Sequence, residues 1–319
     1  MKLSVAMCTY NGEKYISEQI ISILSQTVLP DELIICDDGS TDNTIAIIKG
    51  LNNPRIKLHQ NPVNLGPTKN FEQAINLCSG DIIFLADQDD VWLPNKVATI
   101  VQAFKSNPEA YMLFTDAYLA NEKLEPCGIS LWEYSNFDCN EFSFNMLMLR
   151  TVATGATMAL KKEALELIMP FSPFLIHDDW ITLLLTFFNR TAFINKKLIY
   201  YRMHSNQQIG VNESTIESKK KNKIAQLKAR LLEFRAKFTS IKNYTDLFPY
   251  LEVRLSHLQE LPIKEPYLAL NDYIEHLKTR SSLPKNKISR WKAIRREMPR
   301  YVKYENRATA IKEWINISL

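Results

Sequence analysis

Three carboxylates lie within four consecutive positions, directly after the apolar run Ile82–Ala86. They are Asp87, Asp89 and Asp90, and no basic residue adjoins them in the sequence. Carboxylates this close raise one another's pKa in a partly dry site unless a cation compensates their charge. The natural partner is a hard divalent ion, Mg²⁺ or Mn²⁺, which is usually shared with substrate phosphates. A solvated acidic turn between a strand and a helix is the alternative interpretation.

Polar side chains follow three earlier strand-like runs in the same way. They are Thr9, Tyr10, Asn11 and Glu13 after the first run, Asp38 after the second, and Asn64, Gly66 and Lys69 after the third. An aspartate so placed can accept a hydrogen bond from a nucleotide base or a ribose hydroxyl. The residues around Asp38 are also common in turns, with Ser40 or Thr41 as a helix N-cap. Four successive runs that end in polar groups nevertheless predict one shared site.

The elements that must position these residues alternate between strands and helices. The predicted strands are Leu3–Cys8, Glu32–Cys36, Ile56–His59, Ile82–Ala86 and Ala110–Asp116, and the predicted helices are Glu13–Gln26, one that begins after Ser40, and Thr68–Cys78. This alternation predicts βαβ units and a parallel sheet with right-handed crossovers. Ligands of such sheets bind beyond the carboxyl ends of the strands, where the polar residues fall.

Charge divides the chain of 319 residues into two parts. Residues 1–210 hold 16 Lys and Arg against 23 Asp and Glu, a net charge of −7, and residues 211–319 hold 23 against 12, a net charge of +11. We therefore predict a first domain over residues 1–210 and a basic helical region over residues 211–319. The basic region favours an anionic partner surface. A helical tail with a solvated basic face is the alternative.

Composition argues for a cytosolic protein. No apolar run approaches the roughly 18 residues of a membrane span, and the N-terminus is a poor signal peptide. The five cysteines have no CxxC or CxxH spacing, which argues against structural zinc. We expect a cytoplasmic protein in a reducing environment.

Four segments of the chain resemble family 2 glycosyltransferases with the GT-A fold. They are Met7–Gly12, Ile34–Asp42, Asn64–Gly66 and Asp87–Trp92, in this order and spacing. The resemblance covers about residues 1–210 and implies an α/β fold with a mostly parallel, Rossmann-like central sheet flanked by helices. A C-terminal helical extension lies outside it. The resemblance also implies an inverting transferase that depends on a nucleotide sugar and a divalent metal ion.

The resemblance gives the acidic residues separate roles. Thr9 and Asp38 would hold the nucleotide base and ribose, and Asp87 and Asp89 would match the DxD carboxylates at the metal and the diphosphate. Asp89 is the expected direct metal ligand, and Asp87 is a further ligand or a sugar contact. Asp90 would cap the next helix or support the site. The expected donor-binding residues also include Tyr10, Asn11, Glu13, Asn64, Gly66, Lys69 and Gln88.

A second carboxylate pair, Asp178 and Asp179, follows another apolar run. Inversion needs one base to take the proton of the acceptor hydroxyl, and a carboxylate with a slightly raised pKa suits this role. His177-Asp178 resembles a Glu-Asp or His-Asp pair of the family, which makes Asp178 the candidate base and Asp179 its rival. Acidic residues also complement the dipole at a helix N-terminus, and both interpretations can hold together. Gly155 would permit close backbone approach of an acceptor.

Residues 198–210 resemble a Tyr-Arg-x-His stretch of bacterial family members from polysaccharide loci, some of them rhamnosyltransferases. On this basis Arg202 is expected to pair with the diphosphate, and His204 to give the metal a nitrogen ligand. A structural histidine is the alternative.

The tail has the periodicity of amphipathic helices. The expected helices cover residues 224–241, 247–261 and 267–277. Between Lys285 and Lys303, eight basic residues surround Ile288, Trp291, Ile294 and Met298. We expect this segment to lie on an anionic membrane surface, close to a lipid-linked acceptor.

These observations predict an enzyme that moves a hexose or deoxyhexose from a dTDP- or UDP-sugar to a hydroxyl of a glycan or lipid-linked oligosaccharide in surface polysaccharide synthesis. The donor sugar, the acceptor and the linkage stay open. One alternative is a nucleotidyltransferase, although its Gly- and basic-rich phosphate loop is absent from Cys8–Lys14. The other is a non-catalytic scaffold that binds glycans or anionic surfaces. Nucleic acid is not an expected partner, because the carboxylate cluster would repel it.

Overall fold

The structure is a computed structural model that describes residues 1–135, 137, 139, 153–173, 175–205, 207, 264–284 and 286–304, without the side chains of residues 264–270, 281, 287 and 301–304. The described residues fall into two compact units, one within residues 1–207 and the other formed by residues 264–304. The domain boundary predicted at residue 210 and the helices predicted over residues 224–241 and 247–261 lie outside the described residues and stay predictions.

Among the described residues, the first unit contains nine strands. They are β1 (Leu3–Thr9), β2 (Glu32–Asp37), β3 (Ile56–Gln60), β4 (Ile82–Ala86), β5 (Val91–Trp92), β6 (Met112–Ala120), β7 (Pro126–Ser130), β8 (Met158–Lys161) and β9 (Thr191–Arg202). They form one sheet in the order β3-β2-β1-β4-β8-β6-β9-β5, with β7 paired to β6. The helices of this unit are α1 (Ile16–Leu24), α2 (Thr44–Gly50), α3 (Pro67–Leu77), α4 (Lys96–Ser106), α5 (Leu131–Ser135), α6 (Ala164–Ile168) and α7 (His177–Phe187).

The strand directions bring the polar residues of the predicted site to one edge of the sheet. β1 is parallel to β2 and β4, and β2 is parallel to β3. β8 runs antiparallel to both β4 and β6, so β6 points the same way as β4. β9 is parallel to β6, whereas β5 is antiparallel to β9. The carboxyl ends of β1–β4, β6 and β9 therefore meet at one edge, where polar loops follow.

The sequence predicted the parallel half of the sheet and missed most of the rest. The first four predicted strands are confirmed to within one residue, and the fifth runs over Met112–Ala120 instead of Ala110–Asp116. The short antiparallel additions β5, β7 and β8 make the sheet mixed, and β9 was not predicted. α1 begins at Ile16 rather than Glu13, because the chain first turns through Asn11 at a φ of 48°.

The predicted N-cap of α2 is wrong. The helix begins at Thr44 with Asn43 at the N-cap position. The Ser40 hydroxyl instead donates to Asp37 at 2.5 Å, and the Asp42 carboxylate accepts a hydrogen bond from the Thr44 amide at 3.0 Å. The polar side chains of this loop therefore bond one another and the loop backbone before the helix starts.

The core of the first unit lies on both faces of the central strands. Every residue of β1, β2 and β4 is buried. α1 buries Ile16, Ile20 and Ile23, at the spacing that lines one face of a helix. α3 packs on β1 and β2. This packing fixes the strand ends, and so the loops that follow them.

The second unit consists of α8 (Lys264–Ser281) and α9 (Lys287–Tyr304), which confirms helices where the tail segments 267–277 and 285–303 predicted them. Ile294 of α9 is fully buried and packs with Leu283 and Met298. Arg300 Nε donates to Asp272 at 2.8 Å and so links α9 to α8. None of the helices in the described ranges is both long and apolar enough to span a membrane.

Candidate active site

Gln88 ties the loop after β4 to the loop after β1. Its Oε1 accepts hydrogen bonds from the Thr9 hydroxyl at 2.6 Å and the Tyr10 amide at 2.9 Å, and its Nε2 donates to the Tyr10 carbonyl at 3.1 Å. Gly12 leaves room for this side chain, because a Cβ there would lie 2.2 Å from Gln88 Oε1. The ends of two neighbouring parallel strands are thereby held together.

Asp38 organises the loop that follows β3. Its buried carboxylate accepts hydrogen bonds from Asn61 Nδ2 at 2.9 Å, the Leu65 amide at 2.8 Å and the Gly66 amide at 2.9 Å. Asn64 Nδ2 donates to the Asp38 carbonyl at 3.1 Å. Gly66 has a φ of 79°, a conformation that favours glycine. The end of β2 and this loop therefore form one connected polar structure, and the predicted contact of Asp38 with a base or ribose stays a prediction.

The other predicted donor-binding residues lie at the same edge. Asn11 Oδ1 and Glu13 Oε2 accept hydrogen bonds from backbone amides before α2, at 2.8 and 3.0 Å, and so connect the first two loops. Tyr10 is exposed. Lys69 forms an ion pair of 2.5 Å with Glu72 on its own helix. Five members of the predicted set are exposed, namely Tyr10, Asn11, Glu13, Asn64 and Lys69.

Asp89 and His204 come together from distant parts of the sequence. Asp89 Oδ2 lies 2.9 Å from His204 Nε2, and the metal role predicted for both residues stays a prediction. A carboxylate oxygen and an imidazole nitrogen are ligands that divalent ions such as Mn²⁺ accept. Within the described ranges, no group of three or more His, Cys, Asp or Glu side chains forms a metal site. The chain can therefore offer this pair to a metal ion that takes further ligands from elsewhere.

Asp90 connects the acidic loop to β9. It is buried, and its Oδ1 accepts a hydrogen bond from the Arg202 amide at 3.1 Å. Burial and the charges of its neighbours raise the pKa of Asp90 well above its usual range. α4 begins at Lys96 with Asn95 at its N-cap position. The alternative in which Asp90 caps that helix is therefore wrong.

Arg202 holds the acidic loop against β9 and α1. Its guanidinium donates to the carbonyls of Asp89 and Glu122 at 2.7 and 2.6 Å, and to the Glu18 carboxylate at 2.5 Å. It also lies 4.6 Å from the centre of the Tyr15 ring. These contacts position the loop that carries Asp89, and the predicted pairing of Arg202 with a diphosphate stays a prediction.

Asp178 lies at the start of α7 with few hydrogen-bond donors around it. Its Oδ2 accepts a hydrogen bond from the Gly155 amide at 3.3 Å, and its Oδ1 accepts one from the Asp179 amide at 2.8 Å. Burial raises the pKa of Asp178 to about 6, while these hydrogen bonds oppose the rise. Asp179 is only half-buried. Asp178 therefore has the pKa that suits a general base near neutral pH.

His177 is not a second acid or base at this position. It is buried and stacks on Phe71 with ring centres 4.0 Å apart. Burial lowers the pKa of His177 to about 3, so the imidazole is neutral at physiological pH. A Cβ at Gly155 would lie 2.6 Å from His177 Nε2. Gly155 thus permits a close approach to His177, and the predicted approach of an acceptor stays a prediction.

Asp87 connects the two halves of the site electrostatically. Burial raises the pKa of Asp87 to about 7, together with the charges of Asp89 and Asp178, while Lys96 opposes the rise. Geometry agrees with this interaction, because the turn Gly155–Thr157 packs on β4 and its Gly155 amide donates to Asp178. The acidic loop after β4 and the start of α7 therefore face a common site.

The family model described as Glycosyl transferase family 2 matches residues 4–167. This match spans more than half of the chain and includes β1–β4 and the acidic loop. The chain belongs to glycosyl transferase family 2. The resemblance predicted from the four segments is thereby confirmed, and neither a nucleotidyltransferase nor a non-catalytic scaffold gains support.

Two bacterial relatives have sugar-transfer functions in their names. This glycosyltransferase is 31% identical over 231 residues to the dTDP-rhamnosyl transferase RfbG of Shigella flexneri, a match that covers 65% of this chain and 75% of that protein. It is 28% identical over 186 residues to the UDP-Glc:alpha-D-GlcNAc-diphosphoundecaprenol beta-1,3-glucosyltransferase WfgD of Escherichia coli, covering 57% of this chain and 69% of that protein.

The solved structure of S. aureus TarS residues 1–349, in complex with UDP-GlcNAc, is similar in fold. The alignment has a TM-score of 0.56 at 17% sequence identity and covers 99% of this chain and 90% of that chain. At this identity the likeness concerns the fold alone. It confirms the predicted GT-A-like α/β fold of the glycosyltransferase.

Sequence reasoning missed a basic residue in the acidic site. Lys96 is buried, and its charge opposes the raised pKa values of Asp87 and Asp90. Burial lowers the pKa of Lys96 itself to about 7, while the two aspartates oppose that change. No basic residue adjoins the aspartates in the sequence, but in the folded chain Lys96 interacts with them electrostatically. A lysine in the first turn of a helix, where it opposes the dipole, is the signal that could have identified it.

No motif marked the residues just before α1 and in the β6–β7 turn that contact His204 or each other. The Tyr15 hydroxyl donates to Glu122 at 2.6 Å, and Lys14 bonds the same carboxylate. The Tyr15 ring lies 4.7 Å from the His204 ring, centre to centre. Tyr15 therefore orients His204 while Glu122 orients Tyr15. Such contacts depend on tertiary proximity and leave no trace in sequence spacing.

Proposed function

We propose that this family 2 glycosyltransferase moves a hexose or deoxyhexose from a UDP- or dTDP-sugar to a hydroxyl of a surface polysaccharide or its lipid-linked precursor, with inversion at the anomeric carbon. One observation carries the proposal: the turn Gly155–Thr157 packs on β4, and its Gly155 amide donates to Asp178 at 3.3 Å, which brings the end of β4 and the start of α7 into one region. A direct displacement needs a leaving-group side and a base in the same site, and this arrangement offers both.

The leaving-group side centres on Asp89 and His204. Their contact of 2.9 Å supports a role as two metal ligands, and an octahedral ion would keep positions for phosphate oxygens and water. Mg²⁺ or Mn²⁺ bound there would stabilise the charge that develops on the departing diphosphate. Asp87, beside them, is a further ligand or the contact to the sugar or ribose. Arg202 and Asp90 hold this loop in place.

The nucleotide side lies at the ends of β1 and β2. We assign Thr9 and Asp38 to the base and ribose, and Tyr10, Asn11, Glu13, Asn64, Gly66, Lys69 and Gln88 to the surrounding surface. The names of RfbG and WfgD support dTDP- and UDP-sugars as donor classes. The hydrogen bonds of Gln88 to the end of β1 support a single donor pocket that spans both loops.

Asp178 is our candidate for the base that takes the proton of the acceptor hydroxyl. Its pKa of about 6 leaves it ionised at neutral pH and still able to accept a proton in the transition state. The Gly155 amide and the start of α7 both favour the ionised carboxylate. Asp179 is the alternative base. It is only half-buried, and we favour Asp178 because burial raises the pKa of Asp178 towards neutral pH.

The proposal is tested by nucleotide release from defined donors. The full chain is incubated with UDP-glucose, UDP-GlcNAc and dTDP-rhamnose, with and without Mn²⁺, and free UDP or dTDP is measured. We expect metal-dependent release from at least one donor and its loss on chelation. If no donor is turned over or shifts the melting temperature in the presence of Mn²⁺, the proposal is wrong.

We also propose that α9 contacts an anionic membrane surface, at the cytoplasmic face. Ile288 and Trp291 are 69% and 37% exposed, and with Lys292 and Arg295 they share one side of the helix by their spacing. Exposed apolar and basic residues on one side favour interfacial binding. Sedimentation with phosphatidylglycerol vesicles should weaken in the double variant Lys292→Glu/Arg295→Glu and not in Lys278→Glu. Equal sedimentation of the double variant and the wild type would contradict the proposal.

A further inference from the structure

Lys96 is a buried lysine whose ammonium group donates a hydrogen bond to the backbone of another element. It is 0% exposed and is the first residue of α4. Its Nζ donates to the Ala156 carbonyl at 2.7 Å and lies 3.8 Å from the centre of the Trp92 ring. Lysine is among the residues least often fully buried. A fully buried lysine with a specific backbone hydrogen bond suggests a specific function.

The carbonyl that Lys96 bonds belongs to the short turn Gly155–Thr157 before β8. The amide of Gly155, the preceding residue in this turn, donates to Asp178 Oδ2 at 3.3 Å. The turn fits tightly, because a Cβ at Gly155 would lie 2.6 Å from His177 Nε2. Two adjacent residues of one turn thus accept a hydrogen bond from Lys96 and donate one to Asp178.

We propose that Lys96 is a positioning residue for the base. Its hydrogen bond to the Ala156 carbonyl fixes the Gly155–Thr157 turn, so that the Gly155 amide stays directed at the Asp178 carboxylate. The inference rests on the proposed function, because that function makes Asp178 the base.

The Lys96→Met variant separates this role from simple space filling. Methionine is of similar length and apolar, so it fills the same space. Because removing one member of a buried charged group is destabilising, urea unfolding first confirms that the variant is folded. Methionine cannot donate to the Ala156 carbonyl. Lys105→Met is the matched control, because Lys105 lies on the same helix and is exposed. Lys96→Gln keeps a donor and serves as a second variant if the methionine variant does not fold.

The first readout is amide hydrogen exchange of the folded protein without donor or metal. In Lys96→Met we expect faster exchange of the Gly155–Thr157 turn, with unchanged exchange in β1 and β2. Lys105→Met should match the wild type throughout. Lys96→Gln should recover part of the protection. This comparison needs no enzymatic activity, so it stands even if the proposed sugar transfer is wrong.

The second readout is kinetic. A displaced base lowers kcat on the order of 100-fold, and we expect this for Lys96→Met with the donor KM near its wild-type value. The acid limb of kcat/KM should move to higher pH, because a carboxylate that loses a hydrogen bond to its charged form binds its proton more tightly. Gly155→Ala should have a similar effect, and the double variant should be far from additive.

Unchanged exchange of the turn in Lys96→Met would overturn the proposal, as would wild-type kcat with an unshifted pH profile. Altered exchange with lost kcat and a shifted acid limb would support it. If the wild-type protein turns over no donor while the exchange result holds, the proposed function fails and the link between Lys96 and the turn remains.

Discussion

The two edges of the central sheet hold buried carboxylates in opposite ways. At the amino edge, Glu32 of β2 accepts hydrogen bonds from the Ser4 hydroxyl, the Ser79 amide and the Ser79 hydroxyl, each at 2.7 Å, and from Lys57 Nζ at 2.6 Å. Burial alone would raise its pKa, but these bonds outweigh burial and lower the pKa of Glu32 to about 2. This carboxylate is fully paired and contributes to stability.

At the carboxyl edge, the buried carboxylates have few hydrogen-bond donors. Burial raises the pKa of Asp178 to about 6 and, with neighbouring charges, that of Asp87 to about 7. Asp90 Oδ2 is buried without a hydrogen-bond partner in the described part of the chain. Groups perturbed in this direction cluster at functional sites. The same sheet thus pairs a buried carboxylate fully with donors at one edge and leaves buried carboxylates with few donors at the other.

The largest expected effect separates catalysis from binding at the carboxyl edge. Asp178→Asn should lower kcat by roughly 10²–10⁴-fold, the usual contribution of a general base, while nucleotide-sugar binding persists. Asp179→Asn is the matched control and should retain most of the activity. Initial rates of UDP or dTDP release under saturating donor measure both variants. Full activity in Asp178→Asn, or loss only in Asp179→Asn, would move the base away from Asp178.

A smaller effect is expected from His204, the proposed metal ligand that lies 115 residues from its partner Asp89 in the sequence. His204→Ala should weaken Mn²⁺ binding in the presence of UDP by about 10–100-fold, the range found for groups that support a metal site. Titration followed by electron paramagnetic resonance gives the affinity. His59→Ala, which changes a histidine of β3, should bind Mn²⁺ like the wild type. Equal affinity in the two variants would leave His204 with a structural role.

The amino edge should respond in stability and not in catalysis. Glu32→Gln should lower the free energy of unfolding at pH 7 by about 1–3 kcal/mol, because buried donors lose a charged acceptor, while kcat stays unchanged. A depressed pKa contributes stability above the unfolded-state value, so the deficit should shrink as the pH falls from about 4.5 towards 2. Urea unfolding at several pH values measures this, with the exposed Glu166→Gln as control. A fall in kcat without a fall in stability would break the comparison.

The smallest effect concerns pH. Because Asp178 must be ionised to act as a base and its pKa is raised to about 6, kcat/KM should fall about tenfold per pH unit below that value. The effect is loss of activity on acidification, and the residual activity of Asp178→Asn, measured over the same range, should lack this acid limb. An acid limb near the ordinary aspartate value of about 4 would contradict the burial of this carboxylate.

The sequence could predict those parts of the site that follow directly from strand ends. The parallel order of β1–β4 places Thr9, Asp38 and Asp87 at one edge, so their common location follows from pattern and topology alone. The start of α7 at the second aspartate pair was likewise readable from an apolar run followed by acidic residues. These predictions succeeded because each depends on local sequence and on the regular geometry of βαβ units.

Other features could not be read because tertiary contacts decide them. The Gly155 turn meets His177 and Asp178 only after β8 inserts antiparallel between β4 and β6, and such an insertion has no local signature. Lys96 is charged and follows a proline turn, so its burial depends on Trp92 and the Ala156 carbonyl. The capping role predicted for Asp90 was wrong for the same reason, because Asp90 accepts its hydrogen bond from the Arg202 amide of the distant strand β9.

The most direct test of the two-sided site is calorimetric binding of UDP and dTDP with and without Mn²⁺, in the wild type, Asp89→Ala and Asp178→Asn. The account predicts metal-dependent binding of at least one nucleotide to the wild type, the same binding to Asp178→Asn, and its loss in Asp89→Ala. Binding that is independent of metal, or equal in Asp89→Ala and the wild type, would contradict it.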